Sequence, residues 1–200
     1  MSLNISWRSV IAGAIGMLLL LGLAAILVIA TGGYNVAADD RHETLTGWAL
    51  TTTMRNAVQA RADGIDAPKF TPAMVAAGAP EYKSMCQHCH GGVGVKRDEW
   101  SHGMRPKPPP LAAAADRWRP REIFWIAKHG IKMTGMPAFG GSHDDRTLWN
   151  IAAFVNALPG MSASDYASYS AEHGGRGEGR AEHGGSTSPH LLTPSNQRKN

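Results

Sequence analysis

Cysteine is scarce in this sequence, and its scarcity excludes several classes of protein. Only two cysteines, Cys86 and Cys89, occur in 200 residues, so a scaffold held by several disulfides is excluded. Neither cysteine directly follows the apolar N-terminal run, which excludes a lipid-attachment cysteine there. The sequence also shows no Ser–His–Asp set, no carboxylate pair and no phosphate-binding loop that would indicate an enzyme.

Strand patterning and net charge of one sign are also lacking. No alternation of apolar and polar residues extends over a useful length, so the pattern predicts an all-α fold. The 20 basic and 16 acidic residues leave a net charge of +4, which excludes little. With 43% apolar and 18% charged residues, the composition is neither that of a disordered chain nor that of a collagen.

The longest apolar run lies near the N-terminus. Residues 10–30 contain no charged side chain, and as a helix these 21 residues reach about 31 Å, enough to cross a bilayer core. A cleaved signal peptide is the alternative, because Val28-Ile29-Ala30 resembles a cleavage site. The apolar core of a cleaved signal is usually about 7–15 residues, which is shorter than this run. We therefore predict that residues 1–33 form a retained transmembrane anchor.

The charges that flank this run predict its orientation. Arg8 and the amino terminus precede the run. The residues after it are mainly acidic: Asp39, Asp40 and Glu43, against Arg41. The positive-inside rule places the N-terminus in the cytoplasm and the remaining chain across the membrane. We expect a single-pass protein of the bacterial inner membrane, facing the periplasm, where a nucleic-acid partner is not expected.

Residues 34–70 are expected to form a juxtamembrane spacer. Trp48, Thr51 and Val58 recur at helical spacing and predict a helix over residues 46–62, which Gly64 can end. The stretch is too short to contain a second core. The helix either lifts the following domain off the membrane or packs on that domain or on a partner subunit, and we favour a spacer that also packs.

The motif Cys86-Gln87-His88-Cys89-His90 carries the chemistry. It is the attachment signature of a c-type haem: two thiols on one turn add to the two vinyl groups, and the next histidine ligates the iron. A zinc site would need a second cysteine pair, and a thioredoxin-like pair would need alternating strands and helices. The motif therefore predicts one covalent haem on Cys86 and Cys89 with His90 as the proximal ligand, while His88 is an exposed spacer.

Residues around the motif resemble those of a class I cytochrome c. Gly78 and Tyr82 precede Cys86 by eight and four positions, which places them on one helical face. Ile151 and Phe154 match the aliphatic–aromatic pair of that family's last helix, which crosses the first helix at the glycine. This resemblance covers residues 71–159 and implies that residues 71–160 form an all-α domain wrapped round one haem.

The resemblance also implies a second contact for the haem histidine. In the family, a proline carbonyl in a Pro-x-Leu loop accepts a hydrogen bond from that histidine. Pro109 or Pro110 precedes Leu111 here, and Pro109 is preferred because it gives the Pro-x-Leu spacing. Such a contact would orient the ring of His90 and tune the iron.

Met136 is the predicted sixth ligand. It directly precedes Pro137, which keeps it out of the helical region, and Gly-Met-Pro-Ala resembles the family's axial-methionine loop. Met133 follows a predicted helix over residues 121–132 and fits the loop less well. Two histidines are the remaining alternatives, His129 and His143. The metal ligands expected are thus His90 and Met136.

A basic region follows the motif. Nine Lys or Arg and four acidic residues lie between Lys96 and Lys132, a local excess of +5. Such a face is either ordinary solvated surface or a surface that attracts an acidic redox partner. Beyond it, a helix over residues 144–158 closes the domain. Residues 161–200 are expected to be a disordered tail, with Ala-Glu-His-Gly-Gly repeated at 171 and 181.

These features predict a one-electron carrier and not an enzyme. Ligation by histidine and methionine raises the reduction potential and leaves no open site for oxygen or peroxide. Two alternatives stay open: a haem subunit of a larger oxidase or dehydrogenase complex in a respiratory chain, and a haem sensor or peroxidase with a labile sixth ligand.

Overall fold

The computed structural model describes residues 6–40 and 44–169. Within these residues the chain is helical, and the only β-type pairing there is an isolated bridge between Gly92 and Val95. The predicted all-α class is therefore confirmed. The predicted tail beyond Tyr169, including both copies of the Ala-Glu-His-Gly-Gly repeat, lies outside the described residues.

Helix α1, Trp7–Thr31, contains the whole apolar run. Ser6 caps its first turn by accepting a hydrogen bond from the backbone N–H of Ser9, and Gly32 ends it with a φ of 65°. Positive φ favours glycine, since it has no Cβ to collide with the backbone. Within residues 6–40 and 44–169, α1 is the one helix long and apolar enough to cross a membrane, a property that signal sequences share.

Helix α2, Thr44–Ala62, matches the predicted spacer helix and begins two residues earlier. Its C-terminal half packs on the domain, where Val58 and Ala62 are buried. Its N-terminal half is different, because three large apolar side chains there are exposed: Leu45, Trp48 and Leu50. The helix therefore packs on the domain at its C-terminal end only, so it combines the role of a spacer with that of a packing helix.

Helices α3, Pro72–Glu81, and α6, Asp145–Ala157, form the centre of the domain. A Cβ added to Gly78 would lie 2.0 Å from the carbonyl oxygen of Asn150, so the two backbones are in direct contact. Beside this contact, the rings of Tyr82 and Phe154 lie 5.3 Å apart. The expected crossing of the first and last helices of the domain at Gly78 is confirmed.

Helix α5, Pro120–His129, ends three residues before the predicted boundary at 132. Gly130 stops it with a φ of 63°, and its N–H still bonds to the carbonyl of Ile126. A Cβ at Gly130 would lie 2.7 Å from the carbonyl oxygen of Met136. The predicted end of the helix at residue 132 was wrong. The residues around Gly130 are compatible with a helix, and the helix ends there because the loop that contains Met136 packs against Gly130. Arg121 of α5 also bonds to Asp63, just after α2, at 2.7 Å.

The ordered domain extends past the expected boundary at residue 160. A short 3₁₀ turn, Leu158–Gly160, leads to helix α7, Ala163–Ser168. Ser162 and Asp165 form a capping box at the start of α7. Tyr166 is only 2% exposed, so residues 161–169 are part of the packed domain and not of a disordered tail. Met161 and Tyr169 also pack against the core, so three side chains dock a segment that has no apolar stripe.

Candidate haem site

The Cys86–His90 segment is a tight helical turn at the end of α3. A single π-helical turn, Tyr82–Cys86, leads directly into helix α4, Gln87–His90. The buried hydroxyl of Tyr82 donates to the carbonyl of Gly91 at 2.7 Å and so ties the start of the segment to its end. Gly91 ends α4 with a φ of 71°, and a Cβ there would lie 2.8 Å from the carbonyl oxygen of Val95.

The surroundings of both cysteines favour the protonated thiol. Burial, together with the nearby Cys89 and Glu81, raises the pKa of Cys86 to about 12. Burial also raises the pKa of Cys89. Thiolates are the form that metal sites and redox-active pairs require. Within the part of the chain that the structure describes, no group of three His, Cys, Asp or Glu residues is placed to hold a metal ion.

His90 is held by the proline loop. Its Nδ1 lies 2.8 Å from the carbonyl oxygen of Pro109, the residue expected from the Pro-x-Leu spacing. A carbonyl only accepts, so Nδ1 carries the proton and Nε2 keeps its lone pair. Burial lowers the pKa of His90, which favours the neutral ring that a metal ligand needs. Leu111, two residues on, starts a 3₁₀ turn, Leu111–Ala113, and packs against the core.

Met136 lies in a loop that folds back against the end of α5. Its carbonyl accepts from the N–H of Ile131 at 3.2 Å, and its own N–H donates to the hydroxyl of Thr134 at 3.0 Å. The Met136 side chain is half-buried. Met133, in contrast, is 93% exposed and has a φ of 59°, so it points away from the domain. The structure thus separates the two methionines that the sequence left as candidates.

Met104 links the cysteine turn to the methionine loop, and the sequence analysis did not find it. Its sulfur lies 3.8 Å from the Cys89 sulfur, and its methyl carbon is 1.9 Å from where a Cβ of Gly135 would lie. Gly135 directly precedes Met136, so Met104 brings the two predicted ligand segments close together. Nothing in the local sequence around Met104 signals this contact, which exists only in the folded chain.

The other histidines have different neighbours. The ring of His129 lies 4.8 Å from that of Trp125, and Nε2 of His143 lies 3.9 Å from a carboxylate oxygen of Glu81. His88, predicted to be an exposed spacer, is about half exposed and lies 2.8 Å from a carboxylate oxygen of Asp98. None of these contacts brings His88, His129 or His143 to His90.

A cleft of about 530 Å³ opens beside His90. Basic side chains line it, together with the proline loop and the backbone of residues 91–92; the basic residues are Lys96, Arg97, His102 and Lys107. Arg97 also donates to the carbonyl of Pro108 at 3.0 Å, which holds its guanidinium at the loop. Part of the basic region found in the sequence is therefore gathered at the site.

Comparison with known proteins supports one class of protein for this arrangement. Residues 73–155 match the family described as cytochrome C oxidase, cbb3-type, subunit III. A comparison with curated proteins finds no match, and a comparison with solved structures finds none. The matched segment contains the cysteine turn, the proline loop, the methionine loop and most of α6. The match supports a class I c-type cytochrome domain over these residues, and the general chemistry of such a domain is haem-based electron transfer.

Proposed function

We propose that this protein carries one haem, bound covalently through Cys86 and Cys89, whose iron is ligated by His90 and Met136. One observation carries the assignment: the carbonyl of Pro109 accepts from Nδ1 of His90. That hydrogen bond selects the tautomer with a free Nε2 and orients the ring, as partners of metal-binding histidines commonly do.

The surrounding side chains have the chemistry that such a haem needs. The thiols of Cys86 and Cys89 lie one turn apart and are protonated, which suits addition to vinyl groups and not capture of a metal ion. The basic cleft beside His90 suits the two propionate groups of a haem. The thioether of Met136 is half-buried on a loop held by two hydrogen bonds.

When bound, the haem supplies a site that gains and loses one electron. His90 and Met136 would hold the iron with their own side chains and so would keep other ligands from it. A carrier needs little rearrangement when its charge changes, and His90 and Met136 are both held by backbone contacts. This favours an electron carrier over a sensor or peroxidase.

We place the carrier at the bacterial inner membrane with its haem domain in the periplasm. Helix α1 would be the anchor, residues 34–70 the spacer, and residues 71–169 the cytochrome domain. Residues 10–30 of α1 carry no charge, and the basic Arg8 before them and the acidic residues after them support this orientation.

A fixed subunit of a larger respiratory complex is the second candidate. The matched family is described as a subunit of an oxidase, and the N-terminal half of α2 exposes Leu45, Trp48 and Leu50. Exposed apolar side chains next to an anchor suit contact with another membrane subunit. Purification from native membranes in mild detergent distinguishes the candidates: a fixed subunit copurifies with partners in constant ratio, and a free carrier does not.

Haem staining after denaturing electrophoresis tests the covalent attachment. We expect the full chain to retain haem after denaturation, and the Cys86→Ala/Cys89→Ala double variant to lose it. His88→Ala is a matched control, since His88 lies between the cysteines but bonds to Asp98. A wild-type polypeptide that loses its haem on denaturation contradicts the proposal. N-terminal sequencing of the membrane fraction tests the anchor, and a new terminus near Thr31 or Ala38 would show cleavage.

A further inference from the structure

Residues 161–169, here called the C-terminal strap, lie against the cysteine turn. The strap follows α6 and contains α7, and it lies outside residues 73–155 that match the family. Its buried side chain, Tyr166, reaches the segment that holds Cys86, Cys89 and His90. The strap therefore touches the proposed haem-attachment site directly, from outside the segment that matches the family.

Tyr166 makes two contacts with the cysteine turn. Its hydroxyl donates to the side-chain oxygen of Gln87 at 2.5 Å, and Gln87 is the residue directly after Cys86. Its ring also covers Gly92, where a Cβ would lie 2.3 Å from the ring carbon that bears the hydroxyl. Burial raises the pKa of Tyr166 to about 12, so the phenol stays a neutral donor. Tyr166 thus contacts the chain at Gln87, before His90, and again at Gly92, after His90.

Lys83 holds the strap from the other side. Its ammonium donates to the backbone carbonyl of Tyr166 at 2.8 Å and to that of Tyr169. The same ammonium lies 4.7 Å from the centre of the Tyr166 ring. Lys83 belongs to the turn that leads into Cys86. The strap therefore donates a hydrogen bond to the cysteine turn through Tyr166 and accepts hydrogen bonds from Lys83. Phe154 of α6 supports the rings of Tyr166 and Tyr169 at 5.9 and 5.4 Å.

We propose that Tyr166 and Lys83 are positioning residues for the haem, through which the C-terminal strap raises the reduction potential of this protein. The inference rests on the proposed attachment through Cys86 and Cys89. The strap shields one side of the turn from water, and its hydrogen bonds hold the turn in one geometry. Ferric iron carries one more positive charge than ferrous iron, so water near the haem favours the ferric state. The ammonium of Lys83 disfavours the ferric state as well.

Two variants test the proposal in the full chain, produced with haem and purified in detergent. Tyr166→Phe keeps the ring against Gly92 and Phe154 but removes the donor to Gln87. Lys83→Met keeps most of the side-chain stem but removes the ammonium. Ser168→Ala is the matched control, because the Ser168 hydroxyl donates only within α7, to the carbonyl of Asp165.

We expect each test variant to shift the ferric–ferrous equilibrium about threefold towards the ferric form. For a one-electron couple at 59 mV per tenfold, this is a fall of about 28 mV in midpoint potential. The Tyr166→Phe/Gln87→Leu double variant should shift no further than Tyr166→Phe alone, because both changes remove the same hydrogen bond. Potentiometric titration followed in the visible spectrum measures all five proteins, the wild type included.

The possible outcomes separate this inference from the proposed function. Covalent haem with unchanged potential in Tyr166→Phe and Lys83→Met overturns the role of the strap and leaves the haem assignment intact. An equal shift in Ser168→Ala also overturns it. Loss of covalent haem from Tyr166→Phe, with retention in Ser168→Ala, supports the strap as a positioning element. Absence of covalent haem from the wild type overturns both proposals.

Discussion

Replacing Gly78 by alanine is expected to force α3 and α6 apart. The new Cβ would lie 2.0 Å from the carbonyl oxygen of Asn150 and 2.4 Å from its carbon, and both are backbone atoms of a helix. An ordinary contact needs about 3.4 Å, so the helices must separate by roughly 1.4 Å at this point. A gap of this size removes more than about half of the dispersion energy of the pairs that face it.

The expected cost follows from two opposing contributions. Overpacking of a closely packed core costs typically about 1–3 kcal/mol, and the upper end applies because helix backbone cannot rotate away as a side chain can. Alanine in a helix is favoured over glycine by about 1 kcal/mol, which offsets part of that cost. The net expectation is a loss of about 2 kcal/mol in the free energy of unfolding.

Urea unfolding of the full chain in detergent measures this loss through tryptophan fluorescence. Trp149 of α6 is a suitable reporter because it stacks on Phe124 with ring centres 4.0 Å apart. Gly103→Ala is the control, since a Cβ there meets no atom within 4 Å. A Gly78→Ala protein as stable as wild type would show that the two backbones are not in contact, and would refute the crossing.

Two further predictions concern the iron and the charge at the start of α6. Met136→Ala should lose the sulfur–iron charge-transfer band at the red edge of the visible spectrum, lower the potential and let the ferrous protein bind carbon monoxide. Met133→Ala should do none of these, because Met133 is 93% exposed. Carbon monoxide binding by the ferrous wild-type protein would contradict ligation of the iron by Met136. The N–H of Thr147 donates to Asp144 and holds the pKa of that carboxyl below its usual range. The ionised Asp144 therefore contributes to stability above its pKa in the unfolded chain. This contribution is lost as the pH falls through its lower pKa in the folded protein. Urea midpoints of wild type and Asp144→Ala should differ at pH 7 and converge in acid, whereas a constant difference would show that the charge is not involved.

Much of the helix layout was predictable because its signals are local. The charge-free run of α1 and the helical spacing of α2 depend on neighbouring residues only, and both helices appear close to the predicted bounds. For these two helices the chain within a few turns contains the information required. The crossing at Gly78 was expected from the resemblance to the class I cytochromes c, and the contact itself joins Gly78 to the distant Asn150.

Features that depend on distant segments were missed or left open. The end of α5 depends on the returning loop, because Gly130 makes its close contact with Met136 and Pro137. The choice between Pro109 and Pro110 depends on which carbonyl meets His90, 19 residues away. Spacing favoured Pro109, but the contact itself is a property of the fold.

The sequence by itself determined the class of the protein: its all-α fold, its apolar N-terminal helix and its Cys-x-x-Cys-His turn follow from short patterns. The tertiary structure alone decided which of two methionines is exposed, that Met104 contacts Cys89, and that Tyr166 covers the cysteine turn. The physical reason is the range of the interactions. Helix formation and turn chemistry act between residues a few positions apart, whereas the contact of Tyr166 with Gln87 joins residues 79 positions apart.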